Sequence, residues 1–224
     1  MIFLSAVLFF LSQHSLLSLP LLALLGVAVG ACLARWLGQP AWYAMGVVGL
    51  AVGAVNVFTG SMLNAAFLNA YGTRGSAVIT HSEQTSSQLN NEYIWQYDAV
   101  MQAADGRDVK IHFDTMSASL YPVRNEISLP PVGERFVVKY IPGFERNVAI
   151  LRDESPYGKR RLVQQARAPV ERAAAQLAAS PANTEFRAEY RAALQQFLAD
   201  HEQDAPPHVV QHYRSELQAL DQRP

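Results

Sequence analysis

The sequence predicts a membrane protein of the α+β class. An N-terminal transmembrane helical hairpin of two spans, with a third left open, precedes a small five-stranded antiparallel β domain or barrel and C-terminal amphipathic helices. Three observations predict it. The chain has 224 residues with 18 Lys and Arg against 19 Asp and Glu, yet every acidic residue lies at or after Glu83 and only Arg35 and Arg74 are charged before it. A water-soluble domain scatters charge over its surface, so a first third nearly without charge calls for lipid as its solvent. From Gly75 to Arg152, short segments of two-residue alternation lie between turn formers, which is the pattern of strands. After Arg152 the chain is rich in Ala, Gln, Glu and Arg, which favour helix. The expected segments are a transmembrane anchor over 1–74, a β domain over 75–152 and a helical tail over 153–224.

Two apolar blocks, about Leu16 to Leu37 and Ala41 to Tyr71, exceed the roughly 20 residues a spanning helix needs. Between them, Arg35, Trp36, Trp42 and Tyr43 surround Gly38 and Pro40, a mixture suited to the headgroup layer. Met1 to Leu11 is apolar but shorter; it reads as a retained short or interfacial helix, with a third span as the alternative. The second block is longer than a bilayer needs and contains Asn56, Thr59, Asn64 and Asn69, so its later turns are expected to emerge as a stalk or to face protein. Each block carries a G-x-x-x-G pattern, Gly26 with Gly30 and Gly49 with Gly53. Small residues one turn apart let helix backbones approach closely, which serves either the hairpin itself or a homo-oligomer.

In the β region, Ser76 to Glu83 and Glu92 to Ala103 read as strands, followed by a hairpin turn at Asp105-Gly106 and a strand over Arg107 to Asp114. Glu134 to Ile141 and a short strand at Val148 to Leu151 complete five. In the tail, Ser180 or Asn183 is placed to cap a helix striped by Phe186, Tyr190, Leu194, Phe197 and Leu198. A second stripe comprises Val210, Tyr213, Leu217 and Leu220.

Residues 72–152 resemble the bacterial membrane-tethered modules grouped as domain of unknown function 3592. The resemblance rests on Gly75-Ser-Ala-Val-Ile, Tyr93-Ile-Trp-Gln-Tyr, Asp105-Gly106, Pro131-Val-Gly-Glu-Arg-Phe-Val-Val-Lys-Tyr-Ile-Pro and Asn147-Val-Ala-Ile. It implies a small β domain held outside the cytoplasm by a preceding membrane helix. Family members often carry a second helix after the β domain; here a charged tail stands in its place. These motifs punctuate turns and strands and carry no chemistry of their own.

The chemistry-bearing residues are sparse. His208 and His212 would share a helix face near His201 and Glu202, but two histidines fall short of the three or four ligands a metal site needs. His112 and Asp114, with Ser117 and Ser119 nearby, offer the inventory of a catalytic triad without a nucleophile elbow, so a polar strand face is the simpler reading. Tyr93, Trp95 and Tyr97, with Tyr140 and Phe136 on another strand, form either a small core or a partner-binding surface. Lys159, Arg160 and Arg161, with Arg167, either return the chain to an anionic membrane surface or begin a solvated helix.

The net charge of −1 argues against nucleic-acid binding, and the single Cys32 excludes an intramolecular disulfide. The expectation is therefore a non-enzymatic bacterial inner-membrane protein without metal or cofactor. Its β domain and tail would bind a protein partner at the membrane surface, on the extracytoplasmic side, as a toxin-immunity or envelope accessory protein does. The alternative is an oligomeric channel or transporter accessory subunit, assembled through Gly26, Gly30, Gly49 and Gly53 and lined by Asn56, Thr59 and Asn64.

Overall fold

A computed structural model describes residues 1–89 and 91–222. It separates into two compact units, 1–155 and 156–224. The expected anchor and β domain thus form one unit, because the helices do not stop at the sheet but pack onto it.

The first unit begins with helix α1 (Ile2–Gln13), breaks at His14, and continues as α2 (Ser15–Leu37). Gly38 supplies the left-handed residue that ends α2, at φ 67°. A 3-10 turn (Pro40–Ala44) then leads into α3 (Met45–Tyr71). Ser15–Leu37 and Pro40–Tyr71 are each long and apolar enough to cross a membrane. The two helices of this hairpin touch in order from tip to base: Gly30 meets Trp42, Gly26 meets Met45, Gly49 meets Leu22 and Gly53 meets Leu19; beyond the break, Gly60 meets Leu11 of α1.

The polarity of the hairpin is inverted relative to a water-soluble bundle. Its buried positions include Ser18, Asn56 and Asn64, as those of α1 include Ser5 and Ser12, whereas Leu16, Leu24, Val47 and Phe58 are among the exposed ones. Asn56 Nδ2 donates to Ser18 Oγ at 2.8 Å and to the Leu11 carbonyl at 3.0 Å, so its amide is satisfied inside the hairpin.

Among the described residues, six strands form one sheet in the order β3-β2-β1-β5-β6-β4. They are β1 (Thr73–Leu89), β2 (Glu92–Gln102), β3 (Asp108–Asp114), β4 (Ser119–Tyr121), β5 (Arg135–Ile141) and β6 (Phe144–Leu151). The five expected strands are present: β1 and β6 run longer than expected, β2, β3 and β5 are each one residue shorter, and β4 is the addition. It pairs parallel to β6, so the sheet is mixed and not purely antiparallel. Three residues carry no legible period, which is why this strand had no sequence signature. The sheet curls until β3 comes back beside β6 without bonding to it, which leaves an open barrel with α1 set against the gap.

The turn at Gly106 has φ 86°, and Asp105 Oδ1 accepts the Arg107 N–H at 3.1 Å, the local chemistry that an Asp-Gly turn supplies. Alternation holds in β3, where Ile111 and Phe113 are buried, and in β5, where Phe136, Val138 and Tyr140 are. Along β6, residues Val148 to Leu151 are buried without alternation. A strand covered on both faces reads this way; Ala149 here packs with Ala65 and Leu68 of α3. Of the two expectations for the later turns of α3, a stalk or contact with protein, the structure has the second: they are seated on the sheet.

The second unit contains α4 (Pro156–Ala179), α5 (Thr184–His201) and α6 (Pro207–Gln222). Asn183 caps α5, its Oδ1 accepting from Glu185 N at 2.9 Å and Phe186 N at 3.2 Å. Tyr190, Leu194 and Phe197 meet Val210, Tyr213 and Leu220 in a core shared with Val163 and Val170.

Candidate functional site

The sheet and hairpin are joined by a buried polar cluster. Asn64 on α3 donates to Ser119 Oγ and to Asn147 Oδ1, both at 2.8 Å. Asn147 on β6 donates back to Asn64 Oδ1 at 2.9 Å, and to the Ser5 hydroxyl and carbonyl of α1 at 3.0 and 3.1 Å. Nearby, Lys139 Nζ donates to the Asn69 carbonyl at 2.5 Å and to its side-chain oxygen at 3.1 Å. Four elements thus converge on one pair of amides that is sealed from solvent, where a satisfied hydrogen bond positions far more strictly than apolar contact does. In the sequence Asn64 is a polar residue in an apolar block and Asn147 opens a strand motif, and nothing in the local pattern links them.

The four glycines marked as helix-packing candidates, Gly26, Gly30, Gly49 and Gly53, lie between α2 and α3. A methyl group added to Gly26, Gly30 or Gly49 would collide with the carbonyl of Met45, Trp42 or Leu22 respectively, and one on Gly53 would stand 2.8 Å from Leu19 Cα. Their closeness is used within one chain.

The aromatic stripe divides. Tyr140 is buried and its hydroxyl accepts the Ala104 N–H at 2.8 Å; Phe136 is buried as well. Tyr97 is half-buried and stacks on Phe113 with centroids 5.5 Å apart, and its desolvation raises the phenol pKa above the ordinary value. Tyr93 and Trp95 are 47% and 38% exposed. All three residues of β2 continue the face that buries Ala99 and Met101, but β3 pairs with β2 only as far as Gln96, so the outer end overhangs the core. Tyr93 and Trp95 therefore form an aromatic surface, and Tyr140 forms core.

His112 Nδ1 lies 2.9 Å from Asp98 Oδ1, with both side chains exposed. Asp114 Oδ1 instead accepts the backbone N–H groups of Met116 and Ser117 at 2.8 and 2.7 Å, and Ser119 Oγ receives Asn64. The triad inventory is thus dispersed among other contacts. Among the described residues no three His, Cys, Asp or Glu side chains converge as metal ligands, the tail histidines included. Lys159 pairs with Asp204 at 2.9 Å; Arg160 is exposed and Arg161 partly so.

Two grooves flank the first unit. One, of about 420 Å³, lies between Phe58 and Met62 of α3, Leu89 at the end of β1, and the exposed apolar loop residues Met116, Val123 and Ile127. The other, of about 500 Å³, lies between α1, β3 and β6. Comparisons of the chain with family models, with curated proteins and with solved structures return no match.

Proposed function

We propose that the chain is a non-enzymatic adaptor of the bacterial inner membrane. The hairpin lies in the bilayer and holds the β domain and helical tail at its surface for a protein partner. The carrying observation is the inverted hairpin fused to a sheet that leaves Tyr93 and Trp95 uncovered. Twenty-three residues of α2 extend about 34 Å at 1.5 Å per residue, enough for a hydrocarbon core of about 30 Å. With Arg35 and Trp36 in one headgroup layer, His14 falls in the other, on the same side as the sheet. The resemblance of residues 72–152 supports an extracytoplasmic sheet and a role of the toxin-immunity or envelope accessory kind.

The channel alternative has less support, because Gly26, Gly30, Gly49 and Gly53 are occupied in the hairpin and Asn56 is bonded within it. A photo-crosslinking residue placed at Tyr93 or Trp95 in native membranes tests the proposal. The expected product is one adduct with a distinct protein, lost in a folded, membrane-bound W95A variant. A ladder of identical subunits joined through α2 and α3 would overturn it in favour of the channel.

A further inference from the structure

The groove between β3 and β6 is floored by Phe9, Ile111 and Phe144. Its walls carry two cations from opposite sides, Lys110 on β3 and Arg146 on β6. Both are exposed, and among the described residues neither is in an ion pair; Arg146 lies over the Phe144 ring at 5.7 Å from its centroid. The other ionisable groups on the lining are engaged. Glu145 accepts the Gly143 N–H at 2.9 Å and the Arg107 guanidinium at 3.1 Å, and His112 faces Asp98. Two uncommitted positive charges therefore stand above an aromatic floor.

The level of the groove identifies its ligand, on the membrane reading given above. Gln13 is part of the lining and ends α1 one residue before the His14 break, beyond which the apolar run of α2 begins. The groove thus opens at the headgroup layer on the side of the sheet. We propose that it binds the phosphate of an anionic phospholipid between Lys110 and Arg146, with the acyl chains descending past Phe9 into the bilayer. A zwitterionic lipid carries its own cation beside the phosphate and complements two positive side chains less well.

The test uses the full chain in nanodiscs of equal parts phosphatidylglycerol and phosphatidylcholine, released into mild detergent, with retained lipids counted by native mass spectrometry. Two cations at about fivefold each give an expected preference for phosphatidylglycerol of about twenty-five-fold. K110A/R146A should bring the ratio to near parity, whereas K110R/R146K and K159A/R160A/R161A should retain it. Equal retention in the parent chain, or an undiminished preference in K110A/R146A, would overturn the site. Loss of the preference in K159A/R160A/R161A would overturn it too. Displacement of the lipid by equimolar inorganic phosphate would make the groove a free-anion site and would overturn the lipid assignment. Failure of the chain to enter nanodiscs would refute the membrane reading itself; entry without lipid preference would refute only the site.

Discussion

Replacing Asn147 by Leu isolates the contact that joins hairpin to sheet. The substitution keeps the branched outline of the side chain but adds volume, and it removes an amide whose NH2 donates to Asn64 Oδ1 and to the Ser5 hydroxyl and carbonyl and whose oxygen accepts from Asn64 Nδ2. Asn64 is 1% exposed, so water does not replace what is lost. Its oxygen is left without this donor and its amide keeps only Ser119. At about 1–3 kcal/mol for each orphaned buried group, N147L should cost about 2–4 kcal/mol. N64L orphans Asn147 Oδ1 in the same way and should cost a similar amount. Removing both partners leaves an apolar contact, so N64L/N147L should cost less than the sum of the single changes by at least about 1 kcal/mol. Unfolding free energies from denaturant titration in mixed micelles give this cycle. Strictly additive costs, or single variants within about 0.5 kcal/mol of the parent, the range of an uncoupled surface change, would refute the argument that α1, α3 and β6 are locked through these amides.

Three further outcomes follow from the same structure. Gly49→Val should destabilise the hairpin by about 1–3 kcal/mol through overpacking against the Leu22 carbonyl, read in the same titration, whereas Gly38→Asn at the open left-handed turn should cost far less. The Gly143 N–H, and after it Arg107, hold the Glu145 carboxyl below its ordinary pKa; Arg107 does the same to Asp105. Their contribution is present above the unfolded-state values and is lost as pH falls through the lower folded values, so an acid titration by circular dichroism should show a shallower loss in E145Q. In the second unit, burial and then Glu216 push the Tyr190 phenol up to about 12. The stability this represents is intact below the ordinary tyrosine pKa of about 10 and lost on rising through 12, and Y190F should remove that alkaline loss.

The hairpin was legible because length, apolarity and missing charge are properties of a whole segment, and both helices show them. The β2–β3 hairpin was legible because Asp105-Gly106 is a local turn chemistry. What sequence did not carry was contact between distant segments. Asn64, Ser119 and Asn147 each stand out locally for a different reason and Ser5 for none, so no window joins them, and α1 had no periodic reason to lie against β6. The aromatic stripe illustrates the same limit within one strand. Two-residue alternation puts Tyr93, Trp95 and Tyr97 on the face of Ala99 and Met101, but where that face stops being covered depends on the length of the neighbouring strand, which pairs with β2 only to Gln96. Likewise β1 extends to Leu89 through residues with no alternation, because its overhanging end has no core face to bury.

The placement of polar residues in the hairpin bears on how it can work. In a span that lines an aqueous path, asparagine amides face a lumen and keep free hydrogen-bonding capacity. Here Asn56 reaches the Leu11 carbonyl and Ser18 across the hairpin, and Asn64 and Asn147 bond each other. Breaking such bonds in a low-dielectric interior exposes orphaned groups at a cost of about 1–3 kcal/mol each, so the cluster resists relative sliding of α1, α3 and β6. A rigid joint of this kind transmits position and not motion. On the adaptor reading proposed above, it would set the height and tilt of the sheet relative to the bilayer, and with them the level of the Lys110–Arg146 groove and the Tyr93–Trp95 surface. Such a joint suits a protein whose task is to hold a surface in place, and it is the physical reason for preferring the adaptor to the gated pore.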